Sequence, residues 1–132
     1  MPIVLLWQPM NRTAPIYVAV VDDDENVCRS LGRLLRATGI HPITYASAEA
    51  FLADTRHPQF DCLVLDIQLG GMSGIELAQE IVAKGEKTPF IYITAHDDPE
   101  MQARAEAVGC TAYFRKTDSG SDLVDAILKA AV

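Results

Sequence analysis

No stretch of this sequence concentrates lysine or arginine, and its 11 basic residues are outnumbered by 18 acidic ones, a formal net charge of −7. Nucleic acids and anionic membrane surfaces both call for a cationic footprint, so neither is expected as a direct partner. Cysteine is scarce too. Cys28, Cys62 and Cys110 are an odd number without close pairs, which excludes a disulfide framework and zinc-ligand spacing, and reduced thiols suit a cytoplasmic protein. The apolar opening run from Ile3 to Trp7 is too short for a membrane span and lacks the basic residues of a signal peptide. There is no low-complexity linker. What remains is ordinary for a globular chain: 132 residues, 49% hydrophobic and 22% charged, enough for one domain with one sizeable core. An acidic chain of this kind favours small cations as ligands.

From Pro15 onward a strand-like run and a helix-like run alternate. Ile16-Tyr17-Val18-Ala19-Val20-Val21 is almost wholly apolar and β-prone, the mark of a strand covered on both faces. Val27, Leu31, Leu34 and Leu35 follow at helical spacing, and Gly39 suits the left-handed position just beyond a helix end. The cycle repeats with a strand over 42–45 and a helix capped by Ser47, then a strand over 62–65. Ser73 with Glu76 forms a capping box for a helix carrying Ile75, Leu77, Ile81 and Val82. A strand at Phe90–Ile93 leads to a helix opened by Asp97, Asp98 and Pro99 and closed by Gly109. A strand over 111–114 precedes a last helix led by Ser121 and Asp122. Five such cycles, with connections too long for hairpins, predict a doubly wound α/β sandwich of parallel strands and right-handed crossovers.

In such a sheet every strand points the same way, so residues just past the strands share one carboxyl edge, where ligands bind. Strand 1 ends in Asp22 and Asp23, strand 3 in Asp66, strand 4 in Thr94 and strand 5 in Lys116. If these strands are neighbours, three carboxylates, a hydroxyl and an ammonium converge. Carboxylates at close range repel, and a divalent cation is their natural neutraliser; Mg2+ fits because it takes oxygen ligands and keeps several waters. Lys116 and Thr94 are then left to bind an anion. Together these are the parts of a phosphoryl-transfer site in which an Asp acts as nucleophile. Asp24 reads more simply as a helix cap.

Val21-Asp22-Asp23, Leu63-Val64-Leu65-Asp66 followed by Met72-Ser73-Gly74, Ile91-Tyr92-Ile93-Thr94-Ala95 and Tyr113-Phe114-Arg115-Lys116 resemble the receiver domain of two-component response regulators. Ser47-Ala48-Glu49-Ala50-Phe51-Leu52 further resembles the FixJ-type branch. The resemblance implies a (βα)5 sandwich with the CheY-like strand order 2-1-3-4-5, spanning residues 16–132 behind an N-terminal extension over 1–15. It also implies transfer of a phosphoryl group from a histidine kinase or phosphotransfer protein to Asp66. Mg2+ would be held by Asp22, Asp23, Asp66 and the backbone carbonyl of Gln68. Lys116 and Thr94 would hold phosphoryl oxygens, and Thr94 moving inward would let Tyr113 change rotamer. A homodimer through the fourth helix, fifth strand and fifth helix, and a helix-turn-helix output partner elsewhere, follow by analogy.

Two positions depart from the family pattern. Prolines common after the lysine and in the loop after the nucleophile are here Thr117 and Gly70, so both loops are expected to be less constrained. These departures leave a competing reading, a receiver-like interaction module that works without phosphorylation. A haloacid-dehalogenase-type phosphatase is disfavoured because the residue two beyond the nucleophile is Gln68 rather than an acid. A flavodoxin is disfavoured because strand 1 leads into acids that would repel a flavin phosphate. His41 and His57 are expected at the surface, and His96 in a loop at the mouth of the site.

Overall fold

In a computed structural model of the chain, residues 14–96 and 98–131 are described; the expected extension falls mostly on residues outside them, as does Asp97. Five strands, β1 (Tyr17–Val21), β2 (His41–Tyr45), β3 (Cys62–Asp66), β4 (Phe90–Thr94) and β5 (Ala112–Arg115), alternate with five helices. These are α1 (Glu25–Ala37), α2 (Ala48–Ala53), α3 (Gly74–Ala83), α4 (Pro99–Val108) and α5 (Gly120–Ala131). The strands form one sheet in the order β2-β1-β3-β4-β5, every pairing parallel.

Alternation along each central strand explains why its sequence is apolar throughout. Ala19, Val21, Leu63, Leu65, Phe90 and Tyr92 face the side covered by α2, α3 and α4. Val18, Val20, Cys62, Val64, Ile91 and Ile93 face the side covered by α1 and α5, where Leu35, Leu123, Val124 and Ile127 complete the core. Burying each large aliphatic side chain contributes about 2 kcal/mol, so the three central strands anchor the fold. Edge strands β2 and β5 are only partly buried. Val82, one of the apolar residues that α3 carries, is 48% exposed: the helix covers the sheet with Ile75, Leu77, Ala78 and Ile81.

The helix starts are fixed by side chains read in the sequence. Asp24 accepts from Asn26 N, Ser47 from Ala50 N, and Ser73 with Glu76 forms a complete capping box. Asp98 caps α4, whose first position is Pro99, and Gly109 ends it at φ +97°. The last helix begins one residue earlier than expected, at Gly120, and the fifth strand one residue later, at Ala112. Both shifts lie within the fraying normal at element ends.

Candidate functional site at the carboxyl edge of the sheet

Because β1, β3 and β4 are adjacent and β5 follows β4, the acids at the ends of β1 and β3 meet the lysine just past β5, and Thr94 ends β4 on the same edge. Asp22, Asp66 and Thr94 are almost wholly buried, each 1–2% exposed, whereas Asp23 is exposed. One carboxylate oxygen from each of Asp22, Asp23 and Asp66 lies within 4.8 Å of the others. The backbone fixes both buried acids by the same device, an Asx turn: Asp24 N donates to Asp22 Oδ1 at 2.8 Å, and Gln68 N donates to Asp66 Oδ1 at 3.1 Å. Their second oxygens turn toward Lys116, whose Nζ lies 2.9 Å from Asp22 Oδ2 and 3.1 Å from Asp66 Oδ2.

One ammonium does not balance three carboxylates. Burial, and next the charge of Asp22, push Asp66 up to about 6 in spite of Lys116 and the Gln68 amide. For Lys116, burial pulls downward, but its bonds to Asp22 and Asp66 outweigh that and hold the ammonium above its usual range. Cys28 donates its Sγ–H to the Asp22 carbonyl at 3.2 Å, and burial followed by the Asp22 charge raises the thiol. The donor set is hard oxygen with surplus negative charge, which suits a hard divalent cation such as Mg2+ and is unsuited to a soft metal.

The hydroxyl of Thr94 donates to the His96 carbonyl at 3.0 Å and accepts from His96 N at 3.2 Å, so it is engaged with its own turn rather than with the acids. Tyr113 pairs in register with Tyr92 across β4 and β5, and its half-buried side chain packs against the core cluster under α4. It stands on the same pleat as Thr94, two residues beyond Tyr92.

The loop from β3 to α3 closes tightly over Asp66. Gly74 N donates to the Ile67 carbonyl at 3.0 Å, and a Cβ at position 74 would overlap the Asp66 carbonyl oxygen. Only glycine permits this approach. Gly71, at φ +79°, lies against Glu49, whose Oε2 accepts from Met72 N at 2.9 Å. The sequence puts Glu49 in a helix and in the pattern that resembles the FixJ-type branch; nothing in local spacing signals a bond to a loop 23 residues on.

The two loops lacking proline are tied by other means. Arg115 N donates to Asp118 Oδ2 at 2.9 Å, with Arg115 Nε 3.6 Å from Asp118 Oδ1, which closes the turn around Lys116 and Thr117. Glu49 does the same for the loop that contains Gly70. The histidines divide: His41 and His96 are exposed as expected, but His57 stacks on Phe60 at 4.6 Å and on Phe51 at 5.8 Å and is part of an aromatic cluster.

The profile of the response regulator receiver domain matches residues 18–128. The chain belongs to this family. The response regulator protein TmoT of Ectopseudomonas mendocina is 34% identical over 123 residues, covering 93% of this chain and 56% of TmoT. Among solved structures, FixJ-N superposes with a TM-score of 0.81 at 32% identity, covering 90% of this chain and 95% of that one. The response regulator StyR gives 0.81 at 40% identity, covering 89% of this chain and 60% of StyR. This chain therefore spans about half the length of the curated relatives it matches. A receiver domain is a signalling module, and among the described residues no helix is long and apolar enough to cross a membrane.

Proposed function

We propose that this receiver domain is a phosphoacceptor switch, taking a phosphoryl group from a histidine kinase or phosphotransfer protein onto Asp66 in a Mg2+-dependent reaction. One observation carries the reading: a buried carboxylate at a strand end, with an ammonium 3.1 Å from one oxygen and two further carboxylates within 4.8 Å. Asp22, Asp23, Asp66 and the Gln68 carbonyl would hold the cation, which when bound supplies the positive charge that the acids and the phosphoryl oxygens lack.

Asp66 has to be ionised to attack, and a carboxyl raised to about 6 is ionised at neutral pH. Its oxygen forms the new O–P bond of an acyl phosphate as the P–N bond to the donor imidazole breaks; the electron pair returns to the ring. Lys116, already beside Asp66, receives phosphoryl oxygens as a point charge. Thr94 reaches them only by giving up its bond to the His96 carbonyl. That exchange couples the site to the sheet: the phosphoryl group stabilises the inward position of Thr94, and Tyr113, on the same pleat, repacks. The domain thus catalyses only its own phosphorylation and dephosphorylation.

The acidic balance and reduced thiols support a cytoplasmic protein without direct nucleic-acid or membrane contact. Pairing of two copies through α4, β5 and α5 belongs to this proposal by family analogy alone, since the exposed charges there, Arg104, Asp122, Asp125 and Lys129, suit a solvated surface equally well.

The test is incubation with Mg2+ and acetyl phosphate, followed by intact-mass spectrometry. One phosphoryl adduct, absent in Asp66→Asn and absent when the cation is chelated, is the expected result. A folded wild type that takes no adduct with Mg2+ present would favour the phosphorylation-independent interaction module.

A further inference from the structure

The β3–α3 loop carries the backbone on which the proposed reaction depends. Its first residues present Gln68, whose amide fixes Asp66 Oδ1, and its last residues run into the capping box of α3. Both ends are pinned, by Ile67 N to the Ile93 carbonyl at 3.1 Å and by Gly74 N to the Ile67 carbonyl at 3.0 Å. Between them stand Gly70 and Gly71, the first with open space around its missing Cβ and the second at positive φ. Two adjacent glycines give this arc more unfolded freedom than any other pair of residues would. A tie beyond the glycines limits that freedom.

That tie comes from a different helix. Glu49, in the first turn of α2, accepts the Met72 amide on Oε2 at 2.9 Å. The fit is close: a Cβ on Gly71 would come within 2.7 Å of the same oxygen. The bond to Met72 is also the leading reason that the Glu49 carboxyl sits below its ordinary range. Glu49 points at the loop, not at the acid cluster.

Resting on the phosphoacceptor reading above, we infer that Glu49 is a positioning residue for the site. Through Met72 it holds the β3–α3 loop so that the Gln68 backbone and Asp66 stay in the arrangement that takes the cation and the phosphoryl group. Here a carboxylate from α2 restrains, at Met72, the loop that carries Gly70. Residues behind a metal's direct ligands commonly change metal affinity by tenfold or more when removed.

The experiment compares wild type, Glu49→Ala and Glu49→Gln by amide hydrogen exchange in metal-free buffer and by Mg2+ titration. Glu49 is exposed, so both variants are expected to fold. In Glu49→Ala, the amides of Met72 and of Gln68 should both exchange faster, and the Mg2+ dissociation constant should rise about tenfold. The acetyl phosphate reaction should then need more Mg2+ to reach half-maximal rate, with the rate at saturating Mg2+ kept. Glu49→Gln, whose side-chain carbonyl can accept the same bond without the charge, should restore all of these. Faster exchange at Met72 alone, with Gln68 and Mg2+ affinity unchanged, would overturn the inference and leave Glu49 a local contact. Failure of the glutamine to restore would overturn it in favour of a simple charge effect. If the wild type binds no Mg2+, the functional reading fails, and the Gln68 exchange still decides whether Glu49 organises the loop.

Discussion

The ammonium of Lys116 lies 3.1 Å from Asp66 Oδ2 and at the same time 2.9 Å from Asp22 Oδ2, so a single cation bridges two buried acids that start from different strands. Removing it in Lys116→Ala leaves both carboxylates without their counter-charge. The metal-free variant should lose on the order of 3 kcal/mol at pH 7, toward the lower limit for breaking a buried pair because the lysine is partly exposed. The loss should shrink at pH 5, where Asp66 can take up a proton instead. Urea denaturation at the two pH values checks this.

Metal-free stability should also carry a pH-dependent contribution from Asp66 in wild type. Its folded value, about 6, exceeds the ordinary carboxylate value near 4, so between these values the folded state holds more protons than the unfolded chain. The contribution of this group is therefore present at acidic pH and lost as pH rises through about 6. Mg2+ should act in the opposite sense, binding the ionised cluster and stabilising by about 1.4 kcal/mol at ten times its dissociation constant. Thermal melts at pH 5 and 7.5, with Mg2+ and with chelator, should show a larger cation effect at the higher pH.

Asp23 is the exposed member of the acid cluster. Asp23→Asn should raise the stability of the metal-free protein by up to about 1 kcal/mol, because it removes repulsion at a solvated position. The same variant should lose most of the stabilisation by Mg2+. A melt series with increasing Mg2+ reads both effects.

Gly74→Ala should be among the most damaging single methyl additions, since the added carbon would overlap the Asp66 carbonyl oxygen, a backbone atom. About 3 kcal/mol is expected, together with weaker Mg2+ binding, as the backbone that carries Asp66 has to shift. Gly70→Ala, with open space at its Cβ, serves as the mild comparison in the same loop.

The parts of this molecule legible in the sequence are those set by local chemistry or by period. Val18 to Val21 had to be a central strand because every second residue meets a different helical layer, and Ser73 with Glu76 marked the start of α3 from four residues alone. The convergence of Asp22, Asp66 and Lys116 was legible because parallel strands share a polarity, so strand ends share an edge; Thr94 shares the edge, but its hydroxyl turns to His96 instead. What escaped depends on tertiary placement. His57 read as a surface residue because its neighbour in sequence says nothing of Phe51 and Phe60, which stack against it only when the turn after α2 folds back. The bonds made by Glu49 and Asp118 escaped for the same reason: side-chain bonds to distant or turn backbone carry no periodic signature.

The most direct test of the central claim is to locate the phosphoryl group chemically. After reaction with acetyl phosphate and Mg2+, borohydride reduces an aspartyl phosphate to homoserine, which peptide mass spectrometry can place. Homoserine at position 66, and its absence when Mg2+ is chelated, is the predicted result. Unreduced Asp66 in a folded, Mg2+-bound protein, or homoserine at another aspartate, would contradict the account.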